Sequence, residues 1–506
     1  MGPHDGEENE ATELTGGEDS AEKETSEEER SFKSFLSSPL VWFTMLVKEL
    51  HWSFVFGVFI IYGVSQGVGW SVWRVAADYY WKDVQLKQPS QAQVYQGITN
   101  IPWIVKPIWG LLTDVLPMAG YRRRPYFLFS GFLGIISMLT LSLHKQLHVL
   151  FALLAMTAGS AGVAIADVTI DACVAQKSIT HPHLAADMQS LCGLCSSIGS
   201  LLGYSISGLL VHAVGPQGVL GLLSIPSALV FTVGMVMKEA PTPKFEYNEV
   251  CEKFLQANRT MWTTLKCPAV WRPCLYMYIS FALSLNIQEG MFFWYTDPKA
   301  GPPFSQETIG FIFAVGSIGG LLGVVLYQNV FKDHAFRGML LWSQVLSCLA
   351  GMLDLVLVFR LNLKLRIPDF FFGVVDESVS QLIGKLKWMP LLVLSTKLCP
   401  SGIEGTFFAL LMSIDNFGLL TSSWGGGLLL HILHVTRTDF GNLGVAILIR
   451  NLMRLLPLTL ILLVPKSEPD ANILPVDMLV EKIDNSPDTE VEDIELVSLV
   501  GQIQRQ

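Results

Sequence analysis

The sequence predicts an all-α polytopic membrane protein with about twelve transmembrane helices in two six-helix bundles. Of its 506 residues, 51% are hydrophobic and only 15% are charged, whereas a soluble protein carries about 25% charged residues. Apolar runs of about twenty residues recur along the chain, and each can cross the roughly 30 Å hydrocarbon layer of a bilayer. A long polar connection after the sixth run divides the runs into two sets, as in carriers that bind substrate between two bundles.

The predicted spans are delimited by polar residues at their ends. They cover 52–80, 94–117, 125–143, 148–176, 187–213, 217–238, 270–296, 306–331, 337–359, 369–398, 404–434 and 442–464. The domains that follow from them are an acidic cytoplasmic tail at 1–48, a first bundle at 49–238, a cytoplasmic linker at 239–268, a second bundle at 269–465 and an acidic tail at 466–506. We expect both acidic tails to be disordered because they lack the apolar residues of a core.

The orientation follows from three consecutive arginines, Arg122–Arg124, between the second and third spans. An arginine costs roughly 2.5–3.5 kcal/mol at the centre of an inserting helix, so this turn is expected in the cytoplasm. Both termini then face the cytoplasm as well. The N-terminus is too acidic for an organelle transit peptide and has no basic region followed by an apolar one. We therefore expect an uncleaved protein of the plasma membrane or an internal membrane.

Small residues recur at spacings that let helix backbones approach closely. They are Gly199 and Gly203 in span five, Gly316, Gly319, Gly320 and Gly323 in span eight, and Gly425–Gly427 in span eleven. Two interpretations remain open for each motif: an interface that moves between states, or ordinary static packing. No glycine-rich stretch ends in Gly-Lys-Ser/Thr, so the sequence does not predict a nucleotide-binding loop.

The connection that contains the arginines carries the most specific motif of the chain, composed of Gly110, Asp114, Gly120 and Arg122–Arg124. It resembles the signature between the second and third helices of the major facilitator superfamily. The longer string from Lys106 to Tyr126 is similar to the folate-biopterin transporter family. Two further stretches, Asp167–Ala172 and Met389–Ser413, also resemble that family. The likeness spans about 45–465, which is the whole chain except its tails.

The resemblance implies a secondary active transporter of the major-facilitator type that moves folates or related pterins by alternating access, as a symport with protons. The partners implied are the small-molecule substrate, protons and the lipid bilayer. We expect a monomer that needs no cofactor or metal and binds no nucleic acid. The alternatives are a carrier of another small organic anion, or a sensor that binds its ligand without moving it. An enzyme is not expected because the sequence has no His-Glu-x-x-His motif and no Gly-x-Ser-x-Gly elbow between a strand and a helix.

The resemblance also implies that the motif after span two controls gating, with Asp114 and the arginines forming a cytoplasmic latch. The residues assigned to gating are Gly110, Asp114, Gly120, Arg122, Arg123 and Arg124. The alternative is that the arginines only keep the loop in the cytoplasm, and both can hold together. The equivalent stretch of the second half, Gly323–Tyr327, lacks the acid, so a symmetric latch is not expected.

Ionisable side chains inside spans are costly in hydrocarbon and so are candidate functional groups. Asp167 and Asp171 lie four residues apart in span four, where two carboxylates on one face repel each other and one should take up a proton readily. Pairing with a lysine from another helix is the structural alternative. The residues predicted to couple protons or bind substrate are Asp167, Asp171, Glu289, Asp376 and Glu377.

A folate presents a flat pterin ring and a glutamate tail, which call for aromatic faces, amides and cations. The predicted substrate-binding residues are Arg74, Asp78, Lys106, Gln381, Lys385, Lys387, Trp70, Trp73, Phe292 and Trp388. Arg74 and Asp78 also have the spacing of an ion pair within one helix, and each aromatic residue has the alternative of packing or interfacial anchoring. Glu404, Asp415, Arg450 and Arg454 are expected to form interhelical pairs outside the cavity.

Overall fold

The computed structural model describes residues 41–144, 146–241, 255, 259, 261–399 and 404–466. For residues 114, 115, 179 and 404–406 it describes the backbone only. Within these ranges the chain is helix, turn and loop, with a single isolated bridge between Met118 and Tyr121. The predicted disorder of the two tails concerns residues that lie almost wholly outside the described ranges.

The chain divides into two units, residues 1–56 and 57–506. In the first unit, residues 41–50 are helical and the helix is interrupted at His51, which has a positive φ of 68°. The His51 ring nitrogen Nδ1 lies 2.9 Å from Ser53 Oγ, so the side chains help to hold this turn.

The membrane part of the described chain consists mainly of fourteen helices, which we number α1 to α14. They are α1 (Trp52–Val84), α2 (Pro89–Thr99), α3 (Lys106–Val115), α4 (Arg124–Leu143), α5 (Val149–Thr180), α6 (Ala185–Leu222), α7 (Ser224–Val236), α8 (Pro268–Ala282), α9 (Gln288–Tyr295), α10 (Gln306–Leu326), α11 (Phe336–Val358), α12 (Asp369–Lys397), α13 (Glu404–Ile432) and α14 (Leu443–Met453). A 3₁₀ stretch, Leu456–Leu463, continues the last helix.

Apolar length accounts for most predicted spans but not for all. Seven helical stretches of the described chain are long and apolar enough to cross a membrane, and the one over Pro182–Val236 holds spans five and six. That stretch turns at Gly215, whose φ of 72° and following Pro216 break the helix. The helix α12 is not one of these seven stretches, because it carries the charged side chains that are predicted to line a cavity.

Spans two and seven are broken helices, which the apolar runs did not predict. The first is split into α2 and α3 around a short turn, Ile101–Ile104, that contains Pro102. The second is split into α8 and α9, and Leu285 between them has a positive φ of 41°. Breaks of this kind are tolerated in membranes where the freed backbone groups are buried in protein or line a cavity.

The glycine motifs lie where helix backbones meet, as predicted. A Cβ on Gly203 of α6 would lie 2.8 Å from the Cα of Val68 in α1. A Cβ on Gly319 of α10 would lie 2.9 Å from the Cα of Ser378 in α12. Both approaches are closer than real Cβ atoms allow, so these helices pack backbone to backbone.

The largest hydrophobic core contains residues of both predicted halves, and we call it the shared core. Its members lie at 72–81, 92, 138–156, 211–223, 287–294, 309, 357 and 430–447. Two further cores of the described chain draw only on the second half, one around Phe407 and one around Tyr327. The shared core therefore joins the two halves at the end of the molecule where α1 finishes and α9 finishes.

Polar contacts also link the two halves at this end, and we call these residues the cross-half seal: Lys82, Lys87, Gln88, Thr296 and Arg437. The Lys82 ammonium donates to Thr296 Oγ1 at 2.5 Å and to the Thr296 carbonyl at 3.3 Å. The Arg437 guanidinium donates to the carbonyls of Lys82 and Lys87, the latter at 3.3 Å. The Arg437 N–H donates to Gln88 Oε1 at 3.1 Å.

Gly319→Ala is expected to destabilise the protein, because the new methyl group would push α10 away from α12. Overpacking of this kind costs about 1–3 kcal/mol. Thermal unfolding of the detergent-solubilised protein measures the effect as a lowered Tm. The matched control is Gly338→Ala on α11, where a Cβ would meet nothing within 4 Å. Equal melting temperatures for the two variants would contradict the packing described.

Candidate functional site

One face of α1 carries the polar side chains from which the site is built. Tyr62, Gln66, Arg74 and Asp78 recur at multiples of four residues, so they follow each other along the helix. Tyr62 and Gln66 belong to a π-helical stretch, Phe59–Gly69, and such stretches occur frequently at functional sites. At one end this face meets the acids of α5, and at the other end it meets acids of α9 and α12 in the C-terminal half.

The first group on this face is the acid pair, Asp167 and Asp171 of α5, with Lys106 at the start of α3. The Lys106 ammonium lies 2.5 Å from Asp167 Oδ2 and 3.5 Å from Asp171 Oδ2. The Gln66 amide donates to Asp167, and the Tyr62 hydroxyl donates to Asp171. The structural alternative from the sequence is therefore present here, because a lysine from another helix pairs with two neighbouring acids.

The two acids differ in exposure. The Asp167 side chain is 6% exposed and is held by Lys106 and Gln66, whereas the Asp171 side chain is 46% exposed. One ammonium cannot neutralise two carboxylates, so one negative charge remains and the accessible Asp171 is the carboxylate that solvent can reach. A proton, or a hydrogen-bond donor on a ligand, can compensate this charge.

The second group, the central polar group, surrounds Arg74 and contains Asp78, Gln96, Glu289 and Glu377. Arg74 Nε lies 3.4 Å from Asp78 Oδ2, which confirms the pair predicted within α1. The Gln96 amide donates to Asp78 Oδ1 at 2.9 Å. The guanidinium also lies within electrostatic reach of Glu289 in α9 and Glu377 in α12. Charges from both predicted halves thus converge on one arginine.

Glutamine side chains connect this group to the rest of the molecule. Gln93 Oε1 accepts a hydrogen bond from the Glu289 N–H at 3.0 Å, and Gln93 Nε2 donates to Ser423 Oγ at 2.9 Å. Gln66, Gln93 and Gln96 were not predicted, since an uncharged amide in an apolar span gives a weaker signal than a charge. Their common feature, a glutamine in a membrane helix, is the signal that could have identified them.

A polar face of α12 continues the central polar group. Gln381 Nε2 donates to Glu377 Oε1 at 2.7 Å, as the predicted spacing of four residues allows. Lys385, four residues further on, lies over the ring of Trp388 with its nitrogen 5.2 Å from the ring centre. No salt bridge to Lys385 is formed by the described residues, so its charge is available to an anion.

Two charged residues of α12 lie away from this face. Asp376 is buried and lies beside Asp354 of α11, whose Oδ2 is 2.6 Å from Nη2 of Arg450. The Arg450 pair is the interhelical contact predicted for span twelve. Lys387 is also buried, and its ammonium donates to the Ser280 carbonyl at 3.1 Å. Adjacent positions on this helix therefore have different environments.

The predicted aromatic residues divide between the core and a partly open surface. Trp73 and Phe292 belong to the shared core, where Phe292 packs edge-on against Tyr79 at 4.9 Å between ring centres. Trp70 is partly exposed and stacks on Trp73 at 5.1 Å. Trp388 is also partly exposed. Trp70 and Trp388 are thus the two predicted aromatic residues that are not fully buried.

The predicted gating motif is held by an acid outside it, Glu239 after α7. Its carboxylate accepts three backbone N–H bonds, from Arg122 at 2.8 Å, Arg123 at 2.9 Å and Arg124 at 3.0 Å. These amides lie at the start of α4, where unpaired N–H groups and the helix dipole favour an anion. The sequence did not predict this contact, which is distant along the chain.

The arginine side chains bind neighbouring segments. Arg124 donates to the carbonyls of Gly234 at 3.1 Å and Met235 at 2.9 Å. Arg123 Nη1 donates to Thr113 Oγ1 at 3.0 Å. Gly120 adopts a φ of 80°, which explains a glycine at this turn. A Cβ on Gly110 would contact Val168 of α5 at 3.4 Å, whereas the side chain of Asp114 lies outside the described atoms.

Comparison with known proteins gives consistent matches. The model of the BT1 family matches residues 66–477. The Arabidopsis thaliana protein named probable folate-biopterin transporter 2 is 59% identical over 479 residues, covering 94% of this chain and 96% of the relative. The folate-biopterin transporter of Synechocystis sp. is 32% identical and covers 85% of this chain and 84% of its own length.

Among solved structures, the nucleoside transporter NupG superposes with a TM-score of 0.59 and 13% sequence identity. The match covers 82% of this chain and 98% of that one. At this identity the likeness concerns the fold alone. The fold is accordingly that of an all-α, polytopic membrane protein of the major-facilitator type, as the sequence predicted.

Lys106→Ala is expected to destabilise the protein because it leaves the buried Asp167 carboxylate without its cation. Breaking a buried pair in this way costs about 3–5 kcal/mol. Thermal unfolding in detergent measures the loss, and adding Asp167→Asn to the same protein should restore most of the Tm. The control is Lys177→Ala at the end of α5, the helix that carries Asp167. A double variant no more stable than Lys106→Ala would contradict the pairing.

Proposed function

The chain belongs to the BT1 family, and from that premise we propose that it is a secondary active transporter which moves folates or related pterins by alternating access, coupled to protons. The names of its relatives support the substrate class. The observation that carries the mechanism is the convergence of Asp78, Glu289 and Glu377, from both predicted halves, on Arg74. Charges inside membrane helices mark substrate or ion pathways.

The shared core and the cross-half seal support alternating access. They close the end of the molecule where α1 and α9 finish, on one side of the central polar group. On the other side of that group, Asp171 and Gln381 are exposed. If Arg122–Arg124 lie in the cytoplasm, the closed end is the outer one and the state described faces inward. In the opposite state the cross-half seal would separate and the other end would close.

The polar face of α12 fits the two ends of a folate. Glu377 and Gln381 offer acceptors and donors for the edge of a pterin ring, whose faces Trp70 or Trp388 can cover. Lys385 offers a cation for a carboxylate of the glutamate tail. The three residues span about 12 Å, since a helix rises about 1.5 Å per residue. A substrate lying along this face would touch both predicted halves through Arg74.

Proton coupling is assigned to the acid pair, because its one uncompensated charge is on the exposed Asp171. Protonation removes that charge, so Lys106 need hold only Asp167. The connection between α3 and α4 would respond, since Lys106 begins α3 and the arginines begin α4. We assign Arg122–Arg124 and their contact with Glu239 to conformational control, because this loop links α3, which begins at Lys106, to α4.

Uptake of labelled folate into proteoliposomes tests the function. We expect accumulation that requires an inward proton gradient, and we expect Asp171→Asn to abolish accumulation while substrate exchange continues. Glu49→Gln, at an exposed residue of the first unit, is the control and should behave as the wild type. Failure to take up any folate or pterin would overturn the proposal. Binding without flux would instead indicate a sensor, and uptake of another anion a different carrier.

Arg437→Ala is expected to open the closed end, because it removes two bonds from the cross-half seal. A cysteine introduced at Ala77, fully buried in the shared core, reports the opening in a protein stripped of its other cysteines. Its reaction with a membrane-impermeant thiol reagent from the outer side should become several-fold faster. The exposed Arg366→Ala is the matched control and should leave the rate unchanged. An unchanged rate in Arg437→Ala would contradict the assignment of this end as the outer gate.

A further inference from the structure

Asp415 lies buried in the C-terminal half, away from both polar groups already described, and no described residue pairs with its carboxylate. Asp415 of α13 is 5% exposed, and neither of its carboxylate oxygens forms a hydrogen bond with a described residue. Lys387 of α12 acts on it electrostatically but forms no salt bridge with it in the described chain. The Lys387 ammonium is bound to the Ser280 carbonyl at 3.1 Å and lies over the Phe281 ring, 5.3 Å from its centre.

An ionised carboxylate at this buried position would be energetically unfavourable. Burying an isolated charge is far more costly than burying a neutral polar group, and a buried charge is normally paired or hydrogen-bonded. The neutral acid avoids most of this cost. The arrangement of Lys387 agrees with it, because an ammonium beside a free carboxylate would bind the carboxylate in preference to a backbone carbonyl.

The geometry points to Asp415 as a proton-binding site of the C-terminal half, occupied in the state described here. The titratable or charged groups that act on this acid and its lysine come from three packed elements: Cys274 on α8, Lys387 on α12, and Arg454 after α14. Lys387 is the cation that can compensate Asp415 once its proton has left.

The site is connected to the break in span seven. Ser280, which accepts from Lys387, lies two residues before α8 ends at Ala282, and Glu289 lies beyond the break in α9. The Ser280 hydroxyl also donates to Gln344 Oε1 at 3.3 Å. When the O–H bond of Asp415 breaks, its electron pair stays on the carboxylate and the proton passes to water. Lys387 keeps its three N–H bonds and turns from the Ser280 carbonyl to the new carboxylate.

Loss of the proton would thus free the end of α8 next to the helix that carries Glu289. This gives the C-terminal half its own response to protons, separate from the acid pair of the N-terminal half. The inference rests on the proposed function only where transport is measured, since proton binding itself is independent of what is carried.

Infrared spectroscopy of the purified protein at neutral pH tests the site directly. The carbonyl stretch of a protonated carboxyl group should be present in the wild type and in Asp333→Asn, a control at an exposed acid. Its intensity should fall in Asp415→Asn by the contribution of one group. The same spectrum in wild type and Asp415→Asn would overturn the inference.

A second variant keeps the test decisive if Asp415→Asn does not fold. Lys387→Gln removes the cation that favours the carboxylate, so the proton should stay on Asp415 to a higher pH than in the wild type. A band that disappears at the same pH in both proteins would overturn the inference.

Transport supplies the last readout: Asp415→Asn should retain folate exchange and show a weaker dependence on pH than the wild type, because the acid pair still titrates. A pH dependence equal to that of the wild type would contradict a role in coupling. If neither protein transports any folate or pterin, the proposed function fails while the infrared result still decides the proton site.

Discussion

The cost of placing charge in hydrocarbon is the constraint on which the structure depends. Each charged side chain of the described helices must find a partner on another helix or an open polar surface, and the helices are arranged accordingly. Lys106 joins α3 to α5 through Asp167, and Arg450 joins α14 to α11 through Asp354. Arg74 has carboxylates from three helices around it. The polar contacts therefore fix which helices are neighbours.

Close backbone packing makes these contacts reachable. The glycines of α6 bring α1 so near that a Cβ on Gly203 would collide with Val68, and Gly319 does the same for α10 and α12. With α1 held in this way, its polar face has a fixed direction toward α5 and α12. The broken helices α2/α3 and α8/α9 then supply Lys106 and Glu289 from positions next to their breaks. Packing and charge thus support the same arrangement.

The sequence was sufficient for the fold class, and it singled out most of the charged residues of the candidate site. Apolar runs located the spans, and the motif from Lys106 to Tyr126 indicated the family that the comparisons then showed. The sequence was not sufficient to predict which residue each charged side chain pairs with. Asp376 and Glu377 are adjacent, yet one lies beside Asp354 and the other near Arg74. Periodicity cannot separate such neighbours when the helix lies between several others.

Partners distant in sequence were also beyond prediction. Glu239 binds the three amides that begin α4, although it lies at the end of a different helix. Gln93 joins α2 to α9 and α13 with an uncharged side chain. Single-residue signals such as charge or aromaticity identify candidates, whereas these contacts exist only because two separate helices are packed together.

We propose that two groups of helices enclose a polar passage, which is closed at one end in this state and opens there in another. The most direct measurement is the distance between spin labels on Leu86 and Thr438, two exposed positions in the loops that carry the cross-half seal. We expect a single short distance in the protein without substrate, and a second, longer population when folate and an inward proton gradient are present. One unchanged distance in an actively transporting sample would contradict it.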